Sequence, residues 1–291
     1  MKLKIACIQM RSGIDEAANV AEMAKAVREA ASRGAQYVQT PEVTGLVQRD
    51  RAKFVAALRT DDESGVFAEA ARLAKELGIH LHIGSTPIAT GGGKAFNRAA
   101  LFGPDGLRIA AYDKIHMFDV DLPSGESWRE SATMEAGDTA VVAETGIGRI
   151  GLGICYDLRF AALFRRQAQV GAAMLTAPAC FTRQTGEAHW HVLTRARAIE
   201  NGAFLIAAAQ GGTHEDGRES YGHSLIVDPW GRIVAELEHD VPGVLLSEID
   251  LAAVEAARQR IPSLRNEKQF GLKVEGAARD ISAGAGKRNV A

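Results

Sequence analysis

The stretch Arg149-Ile150-Gly151-Leu152-Gly153-Ile154-Cys155-Tyr156-Asp157-Leu158-Arg159-Phe160 decides the fold. Its first half reads as a strand over 149–154, and a helix is predicted over 160–169. A cysteine at such a strand-to-helix elbow stands above the sheet. Backbone N–H groups of the helix start face it, and the helix dipole favours a thiolate. Gly151 and Gly153 allow close backbone approach. By this context alone Cys155 reads as either a nucleophile or a structural cysteine.

Upstream, residues 4–9 read as a strand. Residues 17–31 follow as a helix, with Val20, Met23, Ala24 and Val27 at helical spacing. A strand over 37–39 ends at Thr40-Pro41, a helix over 67–77 closes on Gly78, and a strand covers 80–85. This alternation predicts an α/β layer. From Asn97 onward short strands are predicted over 98–102, 108–112 and 139–143, with Gly103-Pro104-Asp105-Gly106 as a hairpin turn. Downstream come a strand over 172–176, a helix over 188–201 and a strand over 203–208. Strands over 225–227, 233–237 and 244–249 follow, and a helix over 251–260. No linker or repeat interrupts the pattern. It reads as one domain over 1–270, with 271–291 as a C-terminal tail or subunit arm; 276–291 is small and polar.

The 291 residues are 46% hydrophobic and 24% charged, enough to bury a core without a metal or disulfide staple. Thirty-four Lys+Arg against 36 Asp+Glu argue against a nucleic-acid partner. No apolar run reaches the roughly 18 residues of a membrane span; 170–181 is broken by Gly171, Thr176 and Pro178. The apolar start stops at Gln9 and Arg11, too early for a signal-peptide core. Three cysteines, Cys7, Cys155 and Cys180, make no disulfide framework, so a reducing cytoplasm is expected.

Two glycine motifs are set aside. Gly146-Ile147-Gly148-Arg149-Ile150-Gly151 spells the dinucleotide fingerprint but runs from a turn into a strand, not from a strand into a helix. Gly91-Gly92-Gly93-Lys94 lacks a phosphate loop's first glycine, since Ile88 stands there, and Ala95 replaces its hydroxyl. His80 and His82 alternate onto one strand face but show no third ligand; His189 and His191 point apart on a helix. No metal site is expected.

A cysteine nucleophile needs a base, since only about 3% of a free thiol is ionised at pH 7. Glu42, after Thr40-Pro41, and Lys114, after Tyr112-Asp113, both follow strand ends, where α/β sites form. Each also reads as an ordinary solvated surface charge.

Taken together, Pro41-Glu42, then Tyr112-Asp113-Lys114-Ile115-His116, then Gly151–Phe160 resemble the carbon–nitrogen hydrolase (nitrilase) superfamily, from the first strand to about residue 270. Asp119-Val120-Asp121, Thr185–Trp190, Arg195–Glu200, Ser220–Ser224 and Val227–Gly231 look most like its Nit branch. The resemblance implies a four-layer α-β-β-α sandwich that pairs with a second copy. It implies a catalytic Glu42, Lys114 and Cys155, with a further acid at Glu130; Glu126 is the competitor. It implies hydrolysis of a small carboxylate-bearing amide through a thioester, with the Tyr156 backbone holding the oxyanion and no cofactor. Deaminated glutathione is the first substrate implied, 2-oxo acid amides such as α-ketoglutaramate the second. Nitriles and N-carbamoyl amino acids stand behind them. Substrate contacts are expected from Arg159, Phe181, Arg183 and His189, with Arg195 a further candidate cation. Two other classes remain: a cysteine–histidine hydrolase using His116 or His189, and a non-catalytic interaction protein on the same scaffold.

Overall fold

In the computed structural model, which describes residues 1–123 and 125–275, β1 (Lys2–Gln9) is followed by α1 (Glu16–Ser32), β2 (Tyr37–Gln39), α2 (Arg51–Ala57) and α3 (Gly65–Leu77). Next come β3 (His80–Ala89), β4 (Ala95–Phe102), β5 (Arg108–Asp113), β6 (Asp119–Asp121), β7 (Ser127–Arg129) and β8 (Met134–Glu135). The second half holds β9 (Val141–Thr145), β10 (Gly148–Leu152), α4 (Ala161–Gln169), β11 (Met174–Thr176), α5 (Arg183–Asn201) and β12 (Phe204–Ala207). The remaining elements are β13 (Gly211–Thr213), β14 (Glu219–Tyr221), β15 (Leu225–Val227), β16 (Ile233–Glu236), β17 (Gly243–Asp250), α6 (Ala252–Arg260) and α7 (Ser263–Asn266).

Two sheets carry the fold. One runs β17-β1-β2-β3-β4-β5, with β8 on β4; the other runs β16-β15-β12-β11-β10-β9. The period-two alternation of β1 shows how they stack. Leu3, Ile5 and Cys7 turn into a core shared with Ile150, Leu152 and Met174 of the second sheet. Ala6 and Ile8 turn the other way, against Met23 and Val27 of α1 and Phe67 and Leu73 of α3. Phe164 of α4 and Trp190 of α5 pack on the second sheet. The layers are therefore helix, sheet, sheet, helix, as the resemblance implied. Each aliphatic side chain so buried stabilises by about 1.5–3 kcal/mol.

Local chemistry sets the helix ends. Asp15 accepts from Ala17 N to start α1, Ser64 accepts from Phe67 N to start α3, and Gly78 ends α3 at φ +65°. Thr182 caps α5, which therefore begins at Arg183, ahead of the expected 188. The expected helix after Cys155 is in two pieces, a 3-10 turn over Cys155–Arg159 and then α4. Missing from the sequence reading were α2 and the short β6–β7 and β13–β14 hairpins. Strands of three residues are too short to show a period.

Three buried glutamines tie the sheets together at one end. Gln39 Oε1 accepts from Ala208 N at 2.9 Å, Gln9 Oε1 accepts from Ser224 N at 2.9 Å, and Gln210 Nε2 donates to Glu42 O at 3.0 Å. This polar seam lies where β1, β2, β11 and β12 end.

Of the expected tail, residues 271–275 are exposed and irregular, and 276–291 lie outside the described residues. No helix among the described residues is long and apolar enough to cross a membrane.

Candidate active site

Four chain segments converge beyond the carboxyl ends of β2, β5, β10 and β11. Glu42, Lys114 and Cys155, 72 and 41 positions apart in sequence, are 4%, 1% and 7% exposed. Lys114 Nζ donates to Glu42 Oε1 at 2.8 Å and to Glu130 Oε1 and Oε2 at 2.9 and 2.8 Å. The Cys155 thiol and the Glu42 carboxylate stand side by side, each shifting the other's titration. Asn97 Nδ2 bridges the two acids, 3.0 Å from Glu42 Oε1 and 3.2 Å from Glu130 Oε1. Glu130 also accepts from Phe118 N at 2.7 Å. Glu130, not Glu126, is thus the acid beside the lysine.

The backbone is shaped for this meeting. Val43 and Cys155 are non-glycine residues at φ +50° and +49°, a conformation that costs about 1–3 kcal/mol and that surrounding packing must hold. At Cys155 the Asp157 carboxylate does the holding. Fully buried, it accepts from Ile154 N at 2.9 Å, Tyr112 Oη at 2.7 Å, and His116 N and Nδ1 at 3.1 and 2.7 Å. Gly84 lets β3 pass beneath the Thr40–Pro41 carbonyls; a Cβ there would lie 2.2 Å from Thr40 O. At Gly153, as expected, a Cβ would press on the Phe164 ring at 3.0 Å.

The electrostatics correct one expectation. Burial would raise the Glu42 carboxyl, but Lys114, the Cys155 thiol and the hydrogen bond from Cys180 outweigh it and hold it below the ordinary range. Burial alone would lower Lys114, but Glu130 and Glu42 hold it well above its ordinary value. Cys155 was expected as a stabilised thiolate. Instead burial, and then the Glu42 charge, push it well above an ordinary thiol, against the pull of Lys114. The resting group is a neutral thiol beside a carboxylate, which suits proton transfer at the moment of attack. Cys7, sealed in the core, is pushed up to about 12 by burial, against a pull from the Ala207 backbone.

The N–H of Cys155 is spent on Pro178 O at 2.9 Å. That of Tyr156 lies in the first turn of the 3-10 segment, where no intrahelical acceptor exists.

Above the thiol lies a cavity of about 350 Å³, the size of a small-ligand site. Phe118, Trp128, Tyr156, Phe181, Arg159 and Arg218 line it. Arg159 lies over Tyr156 and Phe181, 5.7 and 5.6 Å from their ring centres, and reaches His189 Nδ1 at 3.2 Å. Arg218 and Arg49 sandwich Trp128 at 4.7 and 4.9 Å. Arg218 Nε is buried without a hydrogen-bond partner.

Other expected residues fall outside. Arg183 turns to Glu219 and Asp240, at 3.2 and 2.9 Å, because two carboxylates stand beside its helix start. Arg195 donates to Gly231 O at 2.8 Å. His189 is exposed and touches the cavity only through Arg159. His116 is held by Asp157 and stacks on Phe160 at 3.5 Å. Neither histidine faces the thiol as a base. Cys180 lines the cavity three residues before α5.

Residues 4–259 match the family model described as Carbon-nitrogen hydrolase. The deaminated glutathione amidase of Synechocystis sp. (strain PCC 6803) is 37% identical over 265 residues, covering 90% of this chain and 96% of that one. The omega-amidase NIT2 of Homo sapiens is 36% identical over 272 residues, covering 94% and 97%. Among solved structures the C. elegans NitFhit protein superposes with a TM-score of 0.84 at 33% identity, covering 92% of this chain and 65% of that one. A glutamate-to-glutamine mutant of the Nesterenkonia sp. AN1 amidase has a TM-score of 0.75 at 25% identity, covering 89% and 98%. It carries acrylamide added at its active-site cysteine.

Proposed function

The chain belongs to the carbon–nitrogen hydrolase family and is an amidohydrolase acting on C–N bonds other than peptide bonds; from that premise we propose that it cleaves a small carboxylate-bearing amide at Cys155 through a thioester. One observation carries the reading: Lys114 is hydrogen-bonded to both Glu42 and Glu130 beside Cys155, beneath an arginine-bearing cavity. Glu42 takes the thiol proton as sulfur attacks the amide carbon. The oxygen gathers its negative charge against the Lys114 ammonium and the Tyr156 N–H; one such donor is worth about 3–4 kcal/mol of barrier. Glu42 hands its proton to the leaving amine, then takes one from the water that opens the thioester and returns it to the departing Cys155 sulfur. Glu130 and Asn97 keep the ammonium and carboxylate in place.

Deaminated glutathione is the first substrate. The relatives that carry that name support it, and so does a cavity of about 350 Å³ lined by arginines and aromatic rings. Arg159 and Arg218 bind the carboxylates; Arg218 pairs with Asp216 at 3.7 Å and brings in addition a buried Nε–H that no protein group accepts. The relatives named omega-amidase support 2-oxo acid amides as the alternative. The test is a screen of deaminated glutathione, α-ketoglutaramate, simple amides, N-carbamoyl amino acids and nitriles, with the released acid and amine read by mass spectrometry. Turnover of simple amides alone sinks the carboxylate requirement.

The chain also pairs with a second copy through α5. On α4 and α5, Leu163, Phe164 and Leu193 pack in the chain's own core. Val192, Ile199 and Trp230 are 68%, 50% and 50% exposed, an apolar strip that a second copy would cover.

A further inference from the structure

Away from the cavity, three metal-ligating side chains meet from three elements. His191 lies on α5, His223 precedes β15, and Glu236 ends β16. Glu236 Oε1 lies 2.7 Å from His191 Nε2 and 3.1 Å from His223 Nδ1, and the three atoms fall within 4.8 Å of one another. They form the one such group among the described residues. We propose that His191, His223 and Glu236 form a binding site for a zinc ion, separate from the reaction centre.

The donor set argues for the metal. Two imidazoles and one carboxylate suit zinc and its late transition-metal neighbours, not magnesium or calcium, which take oxygen ligands. A tetrahedral ion about 2.0–2.1 Å from each ligand separates the ligands by about 3.3 Å. The two carboxylate–imidazole distances are within about 0.6 Å of that, a shift that side-chain rotation supplies. Water completes the fourth position. An ion bound there replaces the two hydrogen bonds that His191 Nε2 and His223 Nδ1 make to Glu236, displacing their protons.

The site is held before any ion arrives. Tyr221 stacks on the His223 ring at 4.1 Å and 18°, and meets the His191 ring edge-on at 6.0 Å. His223 is the third non-glycine residue at positive φ, +57°; the other two flank the reaction centre. Its carbonyl accepts from Trp190 Nε1 at 2.8 Å and its N–H donates to His239 O at 3.1 Å, so its backbone is pinned to α5. The side chains of His191, His223 and Glu236 are 33%, 22% and 14% exposed, open enough for entry yet partly desolvated. The sequence expectation of no metal site rested on ligand spacing, which cannot see three ligands 32 and 13 positions apart. Bound zinc would clamp α5 to β15 and β16, and thereby steady Trp190, which packs on Phe181 of the cavity at 5.0 Å.

The test is equilibrium dialysis of chelator-treated full-length protein against zinc chloride, with magnesium chloride as control. One zinc per chain is expected at micromolar or lower concentration, with none of the magnesium, and a rise in melting temperature. His191→Gln and His223→Gln should each weaken zinc binding at least tenfold, with amidase activity of the metal-free protein unchanged. Where either variant misfolds by circular dichroism, Glu236→Gln takes its place. Cys155→Ala should bind zinc as wild type does, and cobalt(II) should give visible bands without a thiolate charge-transfer band. Zinc binding unchanged in the histidine variants, lost in Cys155→Ala, or absent altogether overturns the proposal.

Discussion

The backbone N–H of Cys180 donates to Oε2 of Glu42 at 2.7 Å, across 138 positions of sequence. Lys114 and Asn97 hold the other oxygen. The carboxylate is thus fixed by a strand end of each sheet, and the two sheets cannot slide without moving the base.

Cys155→Ala should lower turnover by about 10³-fold or more, while Cys7→Ala and Cys180→Ala leave most activity. Assays of the three purified variants decide it. Acrylamide labelling of wild type should map by peptide mass to Cys155; a label at Cys180 refutes the assignment.

Glu42→Gln keeps the side-chain volume and one acceptor oxygen, but its NH2 cannot accept from the donors around the other position and it cannot take a proton. It should lose activity by about 10²–10⁴-fold with a melting temperature near wild type. Loss of folding instead would show that the carboxylate is chiefly structural.

The rate against pH should be flat from about pH 5.5 to 8.5. Glu42 ionises below the ordinary carboxylate value of 4.5, and the Cys155 thiol stays protonated above the ordinary 9.0. Activity falls as pH drops through the lowered Glu42 value. An inflection near 6.5, the ordinary histidine value, would bring back a histidine base.

Stability should fall as pH drops from 6.5 toward 3. His82, fully buried, is pushed down to about 3 by burial, so over that window the unfolded chain binds a proton that the folded chain refuses. The loss is at most roughly 5 kcal/mol. His82→Gln should flatten this part of the curve in urea titrations. Its Nδ1 accepts from Tyr37 Oη at 2.8 Å, which is what became of the strand-face pair with His80.

Arg159→Ala and Arg218→Ala should each raise KM for carboxylate-bearing amides about 10–100-fold, for the loss of one charge-assisted contact, and leave simple amides alone. Equal effects on both substrate classes would make these arginines structural.

Light scattering should give a dimer at micromolar concentration, and Ile199→Arg, which puts a charge on the exposed strip of α5, should give monomer. A monomeric wild type refutes the pairing.

The sequence showed Glu42, Lys114 and Cys155 because each follows a strand end, a place that local pattern marks. Asn97 was missed because the strand was expected to begin at Arg98, and a buried polar side chain has no local signature. Arg218 sits between two three-residue strands, and only tertiary packing lays it on Trp128. Arg183 had the right charge in the right neighbourhood, but nothing local reveals Glu219 and Asp240 opposite it. The thiolate expectation counted the helix start and omitted desolvation, the largest influence on the buried thiol.

One ammonium between two carboxylates, beside an uncharged thiol, leaves the Glu42–Lys114–Glu130 cluster itself, apart from the arginines of the cavity above it, with one excess negative charge. An amide meets that charge as a neutral group. The acid it becomes ionises next to Glu42 and is repelled. Expulsion of the cleaved half therefore needs no moving part, and an amine returning to the site finds no retained acid to recombine with. The charge count of the resting centre thus speeds release of the acid, while the direction of the reaction stays that of amide hydrolysis itself.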